Sequence, residues 1–236
     1  MIDNVVFIPG MMCDARIFTP QINDLSRDHP VQVASINAHE TIRQMALAVL
    51  ASAPETFALV GLSMGGIVAM EILRQAPERV SRVALISTSP LAETPSQSAW
   101  REPQMARAKA GFLEEAMDEA MAPENLAPGA HRQEVLRMVR EMAKGLGPDV
   151  FIRQSRALQR RRDAQNVLVT SKTSALILCG KYDRLTPVKR HIAMAELIAH
   201  SKLVVLENAG HLPTLEAAEA TTQALRDWLD GPLMLR

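Results

Sequence analysis

The segment Gly61-Leu62-Ser63-Met64-Gly65-Gly66 sets one serine between two glycines at a spacing of two residues on either side. A serine hydroxyl is a weak nucleophile until it is exposed, oriented and relieved of its proton by a base. The run Phe57-Ala58-Leu59-Val60 before it reads as a strand, and Ile67–Gln75 after it reads as a helix. Ser63 therefore falls on a sharp strand-to-helix turn, where the residues two before and two after crowd the backbone and must be very small. The plainer reading is a glycine-rich turn that Ser63 merely caps. A phosphate-binding loop is excluded, because Gly61-x-x-x-Gly65-Gly66 has neither the Gly-x-Gly-x-x-Gly spacing nor a following Lys-Ser/Thr pair.

A nucleophilic serine requires a histidine, and the chain has six. His29 and His39 sit in polar loops, His131 begins a helix, and His191 and His200 fall in a helical stretch. His211 alone follows a strand end through a loop of small residues, Glu207-Asn208-Ala209-Gly210, from which a side chain can reach across the carboxyl edge of a parallel sheet. The histidine in turn needs a carboxylate to set its tautomer and to stabilise the imidazolium. Asp183, in Gly180-Lys181-Tyr182-Asp183, lies just past a strand and is the favoured acid, although it could instead cap the helix beyond Thr186-Pro187. Glu93, after the strand Val83–Ile86, is the rival.

These residues must be held by a scaffold, and the apolar pattern describes one. Val5–Ile8, Val31–Ile36, Phe57–Val60, Val83–Ile86, Ala175–Cys179 and Leu203–Leu206 read as short buried strands. Helical periods fall at Asp14–Arg27, Thr41–Ser52, Ile67–Gln75 and Glu216–Leu229. This predicts an α/β chain with a doubly wound, mostly parallel sheet. From Pro90 to Thr173 strands disappear, and Phe112–Met121 and Arg132–Lys144 are amphipathic helices. The expected organisation is a core of residues 1–89 and 174–236 with a helical cap, or lid, at 90–173.

Composition bounds the function. The chain has 236 residues, 47% hydrophobic and 22% charged, with 26 basic and 26 acidic side chains, so no basic excess points to nucleic acid. No apolar run approaches the roughly 18 residues of a membrane span, and Met1-Ile2-Asp3-Asn4 lacks the features of a leader. Cys13 and Cys179 are far apart and read as buried free thiols in a reducing cytoplasm. No His/Cys cluster has metal-ligand spacing, so neither metal nor cofactor is expected.

The order Ser63, Asp183, His211 with a helical insertion between the first two resembles the α/β-hydrolase superfamily. So do the segments Phe7-Ile8-Pro9-Gly10-Met11, Gly180–Pro187 and Gly210-His211-Leu212-Pro213. Within it the chain looks most like small bacterial cap-bearing carboxylesterases such as pimeloyl-acyl-carrier-protein methyl ester esterase and 3-oxoadipate enol-lactonase. The resemblance implies an oxyanion hole built from the backbone amides of Met11 and Met64. It departs from many relatives in having Pro9 where a histidine often precedes the glycine. The expected activity is hydrolysis of carboxylic esters with small to medium acyl groups through an acyl-enzyme. A lactonase, a carbon–carbon bond hydrolase, an acyltransferase, a cofactor-free perhydrolase or a ligand-binding receptor on the same triad are the alternatives.

With 13 methionines and 3% aromatics, an acyl pocket would be lined by flexible thioethers, and Met12, Met117, Met121, Met138 and Met142 are candidates. Between Arg132 and Arg162 nine basic residues face three acidic ones. This run reads either as a solvated helical face or as a docking surface for an acidic carrier protein or an anionic substrate.

Overall fold

The structure is a computed structural model, described over residues 3–232; Met1 and Ile2, part of the segment read for a leader, lie outside the described residues. Six strands form a single sheet in the order β2-β1-β3-β4-β5-β6, and every pairing is parallel. They are β1 (Val5–Ile8), β2 (Val31–Val33), β3 (Phe57–Leu62), β4 (Val80–Ile86), β5 (Ser174–Gly180) and β6 (Ser201–Leu206). Parallel strands need crossovers, and these are α1 (Thr19–Leu25), α2 (Ile42–Ser52), α3 (Met64–Gln75) and α9 (Val188–Leu197). Two further helices, α10 (Pro213–Glu216) and α11 (Ala218–Asp230), close the chain.

Alternate residues of each strand enter opposite cores, as a sheet covered on both faces demands. Val5, Phe7, Val60, Leu62, Ala84, Ile86, Leu176 and Leu178 pack with Leu25 of α1 and Leu225 and Trp228 of α11. Val6, Ile8, Leu59, Val83, Leu85 and Ile177 pack with Met45 of α2, Ile72 of α3 and Met194 of α9. Among the described residues no helix is long and apolar enough to cross a membrane.

Between β4 and β5 come five helices and no strand: α4 (Pro95–Lys109), α5 (Leu113–Ala120), α6 (Arg132–Leu146), α7 (Pro148–Gln159) and α8 (Gln165–Thr170). Met105 of α4, Met117 of α5, Val139 of α6 and Phe151 of α7 continue the first core. Val167 and Leu168 of α8, with Ala157 and Leu158 at the end of α7, belong to the second.

The structure corrects several expected elements. The segment at Val31–Ile36 is a strand only as far as Val33. The helix expected at Glu216–Leu229 is two helices, broken at Ala217, whose backbone leaves the helical region at φ −135° and ψ 56°. His200 lies beyond the end of α9. The pattern also missed α4, α7 and α8. Helix α4 is so polar that its apolar period is faint; a capping box starts it, with Thr94 Oγ1 accepting from Gln97 N and the Gln97 side chain accepting from Thr94 N.

Helix α9 is fastened to the end of β4 by a fully buried histidine. His191 Nε2 accepts from Thr88 N at 3.1 Å, and Nδ1 faces Pro187 O at 3.4 Å, so the ring is neutral with its proton on Nδ1. Burial, more than the neighbouring His211 and Arg190 charges and against the pull of Asp183, drops its pKa from 6.5 to about 4. The unfolded chain then binds a proton below pH 6.5 that the folded chain refuses until about pH 4, so stability falls as the pH drops through that window. At pH 4.5 the loss is about 2–3 kcal/mol relative to neutral pH. His191→Gln keeps an acceptor for Thr88 N–H without a titrating ring. Urea unfolding at pH 7.5 and 4.5 should show a smaller acid-induced drop in this variant than in the parent, and equal drops would remove His191 as the source.

Candidate active site

The site assembles at the carboxyl ends of β1, β3, β4, β5 and β6. The chain leaves β1 toward β2 on one side and returns to β3 on the other, so the β1 and β3 ends flank the crevice where strand order reverses. Three residues in the loops after consecutive strands of this edge have left-handed backbones: Met12 after β1 (φ 55°), Ser63 after β3 (φ 53°) and Ser87 after β4 (φ 46°). Such conformations cost on the order of 1–3 kcal/mol each in non-glycine residues, and concentrate where a side chain must be aimed.

Ser63 is held in that conformation from both sides. Its N–H donates to Ile86 O at 2.8 Å, and its C=O accepts from Thr88 Oγ1 at 2.7 Å and from Gly66 N at 3.0 Å. A Cβ at Gly65 would fall on the backbone of Ile8 and Pro9, and one at Gly61 on the backbone of Gly65 and Gly66. Both positions therefore require glycine, as the sequence pattern implied. Helix α3 begins at Met64, directly after the serine.

The structure brings Ser63, His211 and Asp183 together. Ser63 Oγ lies 2.9 Å from His211 Nε2, and His211 Nδ1 lies 2.9 Å from Asp183 Oδ2. His211 and Asp183 are each 3% exposed. An ionised carboxylate can only accept, so Nδ1 carries the imidazole proton and Nε2 is left to accept from Ser63 Oγ–H. Asp183 also accepts from Thr186 N at 2.8 Å and from Thr186 Oγ1 at 2.6 Å. Burial alone would raise its pKa; the His211 charge and the hydrogen bonds from His211 and Thr186 overcome that and hold the carboxyl below its usual range. Glu93, the rival acid, is committed elsewhere: Arg101 Nη2 lies 2.6 Å from its Oε1, and Arg161 Nη1 lies 3.7 Å away.

The remaining expectations divide. Cys13 and Cys179 are buried, and desolvation pushes both thiols up to about 12, aided by Asp14 and Asp183 respectively, so neither is a thiolate. Ser63 opens into a cavity of about 230 Å³ whose lining includes Met11, Met64, Met117 and Met121. Met12, Met138 and Met142 do not line it. Met12 and Met142 are wholly buried, with Met142 Sδ accepting from Asp14 N at 3.4 Å, and Met138 packs against the first core. Among the described residues no three His, Cys, Asp or Glu side chains converge as a metal site.

Two buried side chains that support the site escaped the sequence pattern. Gln154, on α7 and fully buried, accepts from Met12 N at 2.8 Å and donates to Asn37 Oδ1 at 3.1 Å, tying the inserted helices to the loop after β1. Glu216, at the end of α10, accepts from Gly210 N (3.0 Å), Leu212 N (2.8 Å) and Ala127 N (2.6 Å), so one carboxylate clasps both flanks of His211. Burial raises the Glu216 pKa even though those three amides and the His211 charge pull it down. Only the placement of an acid five residues after His211 hints at this in the sequence; nothing local marks Gln154.

Residues 5–224 match the sequence family described as the alpha/beta hydrolase family. The pimeloyl-[acyl-carrier protein] methyl ester esterase of Vibrio parahaemolyticus is 22% identical, covering 95% of this chain and 93% of its own. The enzyme of that name from Xanthomonas campestris is 25% identical over 94% and 92%. A thermophilic esterase from Thermogutta terrifontis superposes with a TM-score of 0.87 at 27% identity, covering 96% of this chain and 89% of that one. The enol-lactonase from Burkholderia xenovorans LB400 shares the fold, with a TM-score of 0.86 at 22% identity over 98% and 92%. With a matching family over nearly its whole length and a parallel sheet of that type, the chain belongs to the alpha/beta hydrolase family.

Proposed function

We propose that this hydrolase cleaves carboxylic esters with Ser63 as the nucleophile. The observation that carries the reading is the pair of 2.9 Å contacts linking Ser63 Oγ, His211 and Asp183. His211 Nε2 takes the Ser63 proton as Oγ attacks the ester carbonyl, and Asp183 stabilises the imidazolium that forms. The tetrahedral oxyanion lies between the N–H groups of Met64 and Met11. Neither amide is hydrogen-bonded within the chain among the described residues, and Met64 is the first residue of a helix, where N–H groups are unused and the field favours negative charge. Each such donor is worth about 2.7–4 kcal/mol in comparable sites. His211 then protonates the departing alkoxide, the acyl group stays on Ser63, and the same nitrogen activates the water that releases the acid.

The helices α4 to α7 are the cap over this site, within the boundaries 90–173; α8 rejoins the second core. The cavity's apolar lining from Met117, Met121, Val139 and Leu158 suits aliphatic acyl chains. The names of the curated relatives specify an ester on an acyl-carrier protein. An acidic carrier would meet the exposed Arg137, Lys144 and Arg162, because the rest of the basic run is occupied: Arg132 by Ala127 O (2.9 Å), Arg140 by Asp118 (2.8 Å), Arg153 by Asn37 O (2.9 Å), Arg156 by Glu102 (2.6 Å), Arg160 by Glu40 (3.8 Å) and Arg161 by Leu91 O (2.9 Å).

Two kinetic outcomes are expected with aliphatic p-nitrophenyl esters. Ser63→Ala should lower kcat by a factor on the order of 10⁴ or more, and Asp183→Asn by about 10⁴ through the wrong imidazole tautomer, both with unchanged far-ultraviolet circular dichroism. Parental rates in either folded variant would remove that residue from the chemistry. Gln154→Leu leaves Met12 N–H buried without an acceptor and loosens the loop that carries the Met11 amide. Its kcat should fall about 10- to 100-fold, a part of the loss seen when an oxyanion donor is removed, with KM within a few-fold of the parent. A change confined to KM would contradict this role.

A further inference from the structure

The cavity at Ser63 is lined by three guanidinium groups, those of Arg101, Arg161 and Arg190, and by a single carboxylate, that of Glu93. Glu93 is spoken for. Its side chain is only 3% exposed, and Arg101 grips it with Nε at 2.8 Å from Oε1 and 3.0 Å from Oε2. Arg161, 11% exposed, reaches Glu93 only at 3.7 Å and gives its Nε to Leu91 O at 2.9 Å. Arg190 donates to a neutral partner, Ser89 Oγ, at 2.9 Å. One carboxylate therefore neutralises one guanidinium, and among the described residues no other carboxylate is within ion-pair range of Arg161 or Arg190.

Unpaired charge taken out of water is destabilising and is retained where something else supplies the counter-charge. The strain is visible at Arg161, which burial and the repulsion of Arg101 and Arg190 draw down to about 10 despite Glu93. A planar guanidinium offers a fork of N–H donors that suits a carboxylate, and those of Arg161 and Arg190 both line this partly desolvated cavity. Met117, Met121 and Val139 give the same cavity an apolar stretch.

We infer that the cavity binds an ester carrying a free carboxylate, a compact monoester of a dicarboxylic acid, with the carboxylate on Arg161 and Arg190 and the ester carbonyl at Ser63. The placement of the carbonyl rests on the ester-hydrolase reading above; the anion site does not. At about 230 Å³ the space is smaller than a typical drug-sized pocket, which favours a short acid over a long or aromatic one. Glu93 is on this account the device that holds Arg101 and orders its neighbours, and its single charge leaves the cavity two positive charges in excess.

The test separates binding from turnover. Glutarate is titrated into Ser63→Ala by calorimetry, with the double variant Ser63→Ala/Arg190→Gln beside it. Saturable binding that weakens about tenfold or more in the double variant is expected, whereas no binding at millimolar glutarate, or equal binding by both, overturns the site. In parallel, the ratio of kcat/KM for the p-nitrophenyl monoester of glutaric acid over that for p-nitrophenyl valerate is measured in the parent, Arg190→Gln and Arg190→Lys. The ratio should fall about tenfold or more in Arg190→Gln and recover most of its value in Arg190→Lys, because charge and not shape sets it. A ratio indifferent to Arg190 overturns the assignment. Glutarate binding through Arg190 with no hydrolysis of either ester upholds the anion site and overturns the ester-hydrolase reading instead.

Discussion

The carboxylate of Asp183 is kept charged in a place where water cannot reach it, and the site is organised around that constraint. Desolvation works against its charge, so the fold surrounds it with the Thr186 amide and hydroxyl on one side and the His211 imidazole on the other. The price is met by hydrogen bonds that also fix direction: Thr186 N holds Oδ1, Thr186 Oγ1 and His211 Nδ1 share Oδ2, and the ring then has one free acceptor, which faces Ser63 Oγ. The stability of the site and its readiness to accept a proton come from the same contacts.

Each partner in that chain sits on a loop, and loops are mobile unless tied. The ties are buried and specific. Thr88 and Ile86 clamp the Ser63 backbone in a left-handed conformation, Glu216 binds the amides on both flanks of His211, and Gln154 holds the loop after β1 through Met12. Two of these ties cross into the segment inserted between β4 and β5. Gln154 comes from α7, and Glu216 also binds Ala127, while His211 N donates to Asn125 O at 2.8 Å. The inserted helices thus do more than line the cavity, since they hold part of the scaffold around Met12 and His211.

How much of this could be read from the chain follows from how local each constraint is. The glycines at 61 and 65 are demanded by contacts within a few residues and with β1, so Gly-x-Ser-x-Gly after an apolar run exposes the turn directly. His211 and Asp183 were found because each follows a strand and a short loop, which the periodicity of β5 and β6 reveals. What the pattern could not show is tertiary. Gln154 looks like any polar helical residue, yet its partner lies 142 positions away. Of the five candidate pocket methionines, Met138 and Met142 sit at helical spacing on a face that turned toward the core, and Met12 is buried in the loop after β1. The run Arg132–Arg162 read as one basic surface, but most of it is spent on acids and carbonyls of neighbouring elements, and Arg161 turns inward to the cavity. Helix α4 was invisible because its faces are nearly all polar and it carries Pro103.

The central claim is that hydrogen bonding from Asp183 through His211 makes Ser63, among all hydroxyls of the chain, the one activated nucleophile. The most direct measurement is reaction of the intact protein with a fluorophosphonate, followed by mass spectrometry of the adduct and of its peptides. The account predicts one adduct, on Ser63, formed rapidly by the parent and lost when His211 is replaced by alanine in a folded variant. Absence of an adduct in the parent, or a label on another residue that survives the loss of His211, would contradict it.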